Sequence, residues 1–352
     1  MTHPFRLLAL LPLIAAVPLF AVEPKKPLPA PLGYVCLKAE KPPTVDGKLD
    51  DDAWKAAPWS ADFVDIEGDA KPKPRHRTRM KMLWDEKALY IAAEIEEPHV
   101  WATLDKHDAV IFQDPDFEVF LDPDGDNHNY GELELNAKNT TWDLLLTKPY
   151  KDGGKALNGW EVIGLKTAVH VHGTMNDPRD KDTGWTVEIA WPWEGLKEMA
   201  NAAAPPKDGD RWGINFSRVQ WDTTIEDGKY VKVKGKPEYN WVWSPQGVID
   251  MHRPERWGTL QFSSKTSGKV EYVPDADRWH KDRLHELYYA QKDFHKKMGR
   301  YAKTTAELGW VVYSQPNPEI ELTKRGYEAT LSATIDTGKR WGISHDALLW
   351  SK

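Results

Sequence analysis

Between Asp114 and Asn136 the chain alternates apolar and polar residues in two runs joined by an acidic turn. In the first run Phe117, Val119 and Leu121 fall on one side, and Glu118, Phe120 and Asp122 on the other. In the second, Leu133 and Leu135 oppose Glu132, Glu134 and Asn136. A period of two predicts half-buried strands, with one face on a core and a polar face free to meet something else. The same period runs through Met80, Met82 and Trp84, and through Leu89, Ile91, Ala93 and Ile95, with Asp85-Glu86-Lys87 as a hairpin connection. Further strands are predicted at Thr141–Leu146, Leu165–His172, Trp185–Trp191, Trp212–Val219, Trp241–Trp243 and Gly258–Phe262. Many short strands between Gly, Pro and Asp turns predict a mainly β chain, folded as an antiparallel sandwich of jelly-roll type or a barrel. No Gly-rich strand-to-helix turn appears, which argues against a nucleotide-binding α/β fold.

The pattern changes near Lys265–Val273. From Trp279 to Tyr301 the large apolar residues fall at Leu284, Leu287, Tyr288, Phe294, Met298 and Tyr301, which is helix spacing. Strand-like pieces follow at Tyr327–Ala333 and Trp341–Ser344. Residues 264–352 are therefore predicted to form a small α+β extension, its helix packed on a sandwich spanning residues 42–263. Ahead of the sandwich, Arg6 precedes the apolar run Leu7–Phe20 and a small residue, Ala21, so residues 1–21 read as an export signal peptide. That run is short and interrupted by Pro12 and Pro18, so it does not read as a membrane span. Residues 22–41 are Pro-rich and predict an extended tether. Together these place the protein in the periplasm or outside the cell. Cys36 is the single cysteine, so no intrachain disulfide is possible.

Composition narrows the chemistry. The 352 residues carry a formal net charge of -7, which leaves no basic footprint for nucleic acid. Eighteen tryptophans and twelve tyrosines supply rings for a sandwich core and for flat ligand surfaces. The segment Asp122–Asn129 places three aspartates and two asparagines in eight residues. Asp122, Asp124 and Asp126 could be calcium ligands, the tip of a solvated hairpin, or the rim of a cleft. Carboxylate pairs such as Glu118 with Glu134 or Glu188 invite a glycosidase reading, yet no catalytic motif accompanies them, so a non-catalytic protein is expected.

Motifs in order along the chain carry a resemblance. They are Val45 to Asp50 with Trp54, Leu83-Trp84-Asp85 with Leu89-Tyr90-Ile91, Phe117 to Asp122, and Tyr130 to Asn136. Trp185 to Glu188 with Trp191, Trp212 to Phe216 with Arg218, and His252-Arg253-Pro254 with Trp257-Gly258 complete the set. Over roughly Pro42 to Phe262 the chain resembles the family 9 carbohydrate-binding modules, within the DOMON-like sandwiches. The resemblance implies glycan capture in support of xylan or cellulose breakdown by carbohydrate-active enzymes. In such modules two tryptophans sandwich a sugar at the reducing end, polar groups bond its hydroxyls, and calcium braces loops. Glu118 and Asn136 match the family's sugar-binding glutamate and asparagine. Phe112 stands where the first tryptophan is expected, Met251 or His252 where the second is, and Glu134 where the family has arginine. Glu132 shares the polar face of that strand, and Trp243 or Trp221 could supply the missing wall. This reading requires no cofactor and leaves calcium open. Two other readings are open: a haem-binding relative using Met80 or Met82 with His170 or His172, and an interaction protein that has lost the sugar site.

Overall fold

The computed structural model describes residues 30–199, 202–310, 317–332 and 337–352. The expected signal peptide lies outside these residues. Thirteen strands join in one large curled sheet. In chain order they are β1 (Gly33–Lys38), β2 (Val64–Asp65), β3 (Thr78–Trp84), β4 (Ala88–Glu96), β5 (Asp116–Asp122), β6 (Tyr130–Asn136), β7 (Thr141–Leu146), β8 (Ala156–Leu157), β9 (Lys166–His172), β10 (Gly184–Pro192) and β11 (Arg211–Gln220). A hairpin of β12 (Thr223–Glu226) and β13 (Lys229–Lys232) stands apart, and β14 (Tyr239–Val242) and β15 (Gly258–Ser263) rejoin the sheet. The main path runs β8-β7-β6-β5-β11-β15-β1-β3-β4-β10-β9, with β14 on β11 and β2 on β14.

The curl brings the two ends of the path face to face, which is the sandwich predicted by the alternation. Phe117, Val119, Leu121, Leu133 and Leu135 from β5 and β6 share one core with Met80, Met82, Leu89 and Ile91 from β3 and β4. Trp185, Val187, Ile189 and Trp191 of β10 and Ile214 and Phe216 of β11 complete it. Each such buried side chain contributes roughly 1.5–3 kcal/mol relative to an exposed one. That burial fixes the register, since a slip by one residue would put Glu118 and Glu134 into the apolar layer.

Residues 33–38 depart from the predicted tether. They form β1, inserted between β15 and β3 and parallel to both, with Cys36 fully buried. The sheet is thus mixed at this point. An otherwise antiparallel fold closes around one parallel strand, because β1 arrives from outside the hairpin succession.

Glu188 serves as a clamp on the outer face. Its carboxylate accepts N–H bonds from Asp46 (2.9 Å) and Gly47 (2.8 Å) and from the Trp54 indole (2.7 Å). Gly47 has φ +85°, and a Cβ there would lie 2.6 Å from the Val169 backbone, so both conformation and space require glycine. The motif that opens the module is held by this one buried carboxylate.

The extension has its own core. Helix α1 (Arg278–Met298) buries Leu284, Leu287 and Tyr288 against β17 (Tyr327–Thr330) and β18 (Trp341–Ser344). These strands pair with β16 (Glu319–Leu322) and β19 (Leu349–Ser351) in a four-stranded sheet. The helix therefore packs on its own sheet and meets the sandwich mainly through polar contacts. Its last turn is looser than the spacing suggests: Phe294 is half-buried and Met298 is exposed before Gly299 ends the helix in a left-handed conformation.

Candidate functional site

The polar face of β5 and β6 looks away from the core into a cleft of ≈ 260 Å³. Alternation places Glu118 and Phe120 of β5 there, with Glu132 and Glu134 of β6. Glu118 lies directly opposite Glu134 in the ladder, and Phe120 opposite Glu132. Trp142, opposite Glu134 on the next strand, extends the same surface. Loops close the remaining sides: Phe112 from the short turn before β5, Tyr150 after β7, Glu238 before β14, and Ile249 to His252 before β15.

Phe112 is fixed from both sides of its peptide. Its N–H donates to Glu134 Oε2 (2.9 Å), and its carbonyl accepts the Trp221 indole N–H (3.0 Å). On the opposite wall the His252 ring stands 4.5 Å from the Tyr150 ring, and the Tyr130 hydroxyl and His252 Nδ1 share a hydrogen bond (2.9 Å). Phe120, Tyr130 and Trp257 pack beneath, with Trp257 Nε1 donating to the Met251 carbonyl (2.8 Å).

Five carboxylates line the cleft: Glu118, Glu132, Glu134, Glu238 and Asp250. Burial pushes Glu118 up to about 7, with repulsion from Glu238 adding to it. Glu132 and Glu134 are raised well above the carboxylate range by burial and by the Glu118 charge. His252 is pulled down to about 4 by burial and by the Lys151 charge, so it is neutral near pH 7. Aromatic faces with a set of acceptors can hold a ring-shaped polyol: the rings meet C–H faces and the carboxylates accept from hydroxyls.

Among the expected site residues, Phe112, Glu118, Glu132, Glu134, Met251 and His252 converge on this cleft. Asn136 does not. Its amide donates to Leu104 O and Asp114 Oδ2 and its carbonyl accepts from Lys138 and Thr140, so it is spent on the loop after β6. Trp243 lies in the core against Phe216, over Gly258, whose hypothetical Cβ would sit 2.2 Å from the indole. Trp221 supports Phe112 from behind and lies under Lys232 (3.5 Å). Phe120 and Trp142 were missed as cleft residues, although both could have been found as neighbours of Glu118 and Glu134 on the polar face. Tyr150, Glu238 and Asp250 come from loops whose sequence carries no such period.

The acidic turn is only partly solvated: Asp124 is exposed, while Asp122 and Asn127 are buried and the extension bonds to the turn. Asn127 Nδ2 donates to Ala347 O (2.9 Å) and approaches His285 Nε2 (3.1 Å), His128 Nε2 donates to Asp346 O (2.8 Å), and Leu349 N–H donates to Asp126 O (3.0 Å). Asp122, Asp124 and Asp126 each offer an oxygen within 4.8 Å of the others. Burial and that crowding raise Asp122 and bring Asp126 to about 6. An all-oxygen set of this kind fits a hard cation such as calcium.

The haem arrangement fails on geometry. Met80 and Met82 face the main core, as do Val169 and Val171, so the alternating His170 and His172 lie on the opposite face of the sheet. The Glu118–Glu188 pair fails likewise, because Glu188 is committed to the outer clamp. Among the described residues no helix is long and apolar enough to cross a membrane.

Comparison with known proteins adds three findings. The family model described as carbohydrate family 9 binding domain-like matches residues 45–265. A stretch of 80 residues is 38% identical to endo-1,4-beta-xylanase C of Paenibacillus barcinonensis, covering 23% of this chain and 6% of that enzyme. Solved structures of a family 9 carbohydrate-binding module from Caldicellulosiruptor kristjanssonii are also similar. The complex with cellotriose is 16% identical with TM-score 0.44, covering 69% of this chain and 100% of the module. The complex with glucose is 15% identical with TM-score 0.43, covering 68% and 100%.

Proposed function

Because the chain belongs to the carbohydrate family 9 binding domain-like family over residues 45–265, we propose that its cleft captures a saccharide without cleaving it. The observation that carries this reading is the convergence of Phe112, Phe120, Trp142 and Tyr150 with five carboxylates on one concave surface. A pyranose stacks a C–H face on the rings while its hydroxyls donate to Glu118, Glu132 and Glu134. The cleft volume of ≈ 260 Å³ suits about one sugar unit with the chain continuing into solvent.

The protein acts outside the cytoplasm, carried by the leader at residues 1–21, and presents glycan to carbohydrate-active enzymes that cut it. Non-catalytic capture is favoured over hydrolysis because Glu118 and Glu134 are adjacent cross-strand neighbours with shared burial. They do not face each other across a substrate, as two carboxylates of a glycosidase must. A calcium ion on Asp122, Asp124 and Asp126 would brace the turn between β5 and β6 beneath the extension.

Calorimetric titration with xylo- and cello-oligosaccharides, calcium present, tests the reading. Saturable binding is expected, weakened at least tenfold (about 1.4 kcal/mol) in Phe112→Ala and in Glu118→Gln. A folded wild-type protein that gives no heat with any glycan sinks it.

A further inference from the structure

Three carboxylates meet at the inner corner of the cleft. Asp116, Glu118 and Glu134 are 0%, 4% and 3% exposed, and each offers an oxygen within 4.8 Å of the other two. Asp116 and Glu118 are i and i+2 on β5, and Glu134 is the cross-strand partner of Glu118. Asp116 Oδ1 accepts the Val219 N–H (3.1 Å), but Asp116 Oδ2 is buried with no partner. The Ser217 hydroxyl, opposite Glu118 on β11, adds a neutral oxygen beside them.

Three buried acids cannot all be ionised without a counter-charge, and a buried unpaired carboxylate costs several kcal/mol. Lys232, whose charge reaches this corner, is turned to the Trp221 ring (3.5 Å) and to Gln113 Oε1 (3.1 Å). Glu118 and Glu134 also line the open cleft, so a cation held here would be accessible from it.

We propose that Asp116, Glu118 and Glu134 form a second divalent-cation site, for a hard oxygen-seeking ion of the calcium class, at the floor of the cleft. The donor set is all oxygen, which suits calcium or magnesium and not zinc. Coordination left open on the cleft side takes two neighbouring hydroxyls of the ligand, and this part rests on the carbohydrate reading above. A vicinal diol replaces two waters in the ion's shell and is gripped more firmly than by carboxylate hydrogen bonds alone. The site is separate from the Asp122, Asp124 and Asp126 turn, to which the extension is bonded through Asn127.

The experiment strips the full chain with chelator, then titrates calcium chloride and magnesium chloride into wild type, Asp116→Asn and Asp126→Asn by calorimetry and thermal melting. Asp116→Asn is expected to lose one equivalent of calcium that Asp126→Asn keeps. It is also expected to melt above the stripped wild type, since one charge of the repelling set is gone, which shows that the fold survives. A second arm titrates the glycan with calcium and with chelator, and at least tenfold weaker binding in chelator is expected. Undiminished calcium stoichiometry in Asp116→Asn overturns the site, as does binding of protonated glucosamine oligomers by a protein that takes up no divalent cation. Glycan binding indifferent to chelator overturns the hydroxyl bridge. Loss of the equivalent in Asp116→Asn, with no heat from any glycan, upholds the cation site and sinks the carbohydrate reading.

Discussion

His252 stands among Tyr130, Tyr150 and Phe120, with the Lys151 ammonium as the charge nearby, and its imidazole is held neutral down to about pH 4. The unfolded chain takes up this proton near 6.5, so between 6.5 and 4 the unfolded state binds more protons than the folded one. Stability from this residue is therefore complete above pH 6.5 and is lost as pH falls toward 4. The loss is on the order of 3 kcal/mol. Urea unfolding at pH 7 and pH 4 should show a smaller pH-dependent loss in His252→Gln than in wild type, and equal slopes would refute this. At this scale legibility followed periodicity. Glu118, Glu132 and Glu134 were visible because a strand shows every second residue to one face. Asn136 obeyed the same alternation but sits at the strand end, where loop amides claim it. Trp243 lies just beyond β14, where its indole enters the core, and nothing local marks that choice.

At the scale of elements, the β5–β6 turn couples the module to the extension. Asn127 has φ +73° and two side-chain donations across the junction, both buried. Asn127→Gly keeps the left-handed backbone and deletes the contacts, leaving the Ala347 carbonyl unpaired. It should cost about 1–3 kcal/mol, read from the urea midpoint, and Asn127→Ala should cost more because alanine resists that backbone. An unchanged midpoint in both would show the contacts to be idle. Ten strands of the large sheet, two of the extension and the helix were legible from hydrophobic period. β1 was not, because GYVCLK lacks clean alternation and follows a Pro-rich segment, so its only signal is the place it fills between β15 and β3.

For the whole molecule, a second set of contacts between module and extension gathers at Glu255. Glu255 receives the Tyr289 hydroxyl and the Arg253 guanidinium, and Arg278 donates to its carbonyl. Burial alone would raise Glu255, yet the Lys151, His285 and Arg253 charges and the Tyr289 hydroxyl outweigh it and hold it near 2. A folded value below the unfolded 4.5 means stability present above pH 4.5 and lost as pH falls toward 2, on the order of 3 kcal/mol. Glu255→Gln should abolish that part of the acid transition while lowering stability at pH 7, measured by thermal melting across the range. A transition unchanged in the variant would place the acid sensitivity elsewhere. That a helix follows the sandwich was readable from the change of period near residue 265. Where it docks was not, because Asp152, Glu255 and Asn127 meet residues more than 30 positions away, through polar contacts that leave no pattern.

The parallel placement of β1 beside β15 has a mechanical consequence. Gly33 pairs with Thr259 and Leu37 with Ser263, so the chain enters this seam at one end and leaves it at the other. A pull between the two flanking segments slides one strand along the other, loading the whole ladder at once, whereas an antiparallel pair of terminal strands would peel bond by bond. A force applied between residues 32 and 264 is therefore borne by every bond of the β1–β15 ladder together.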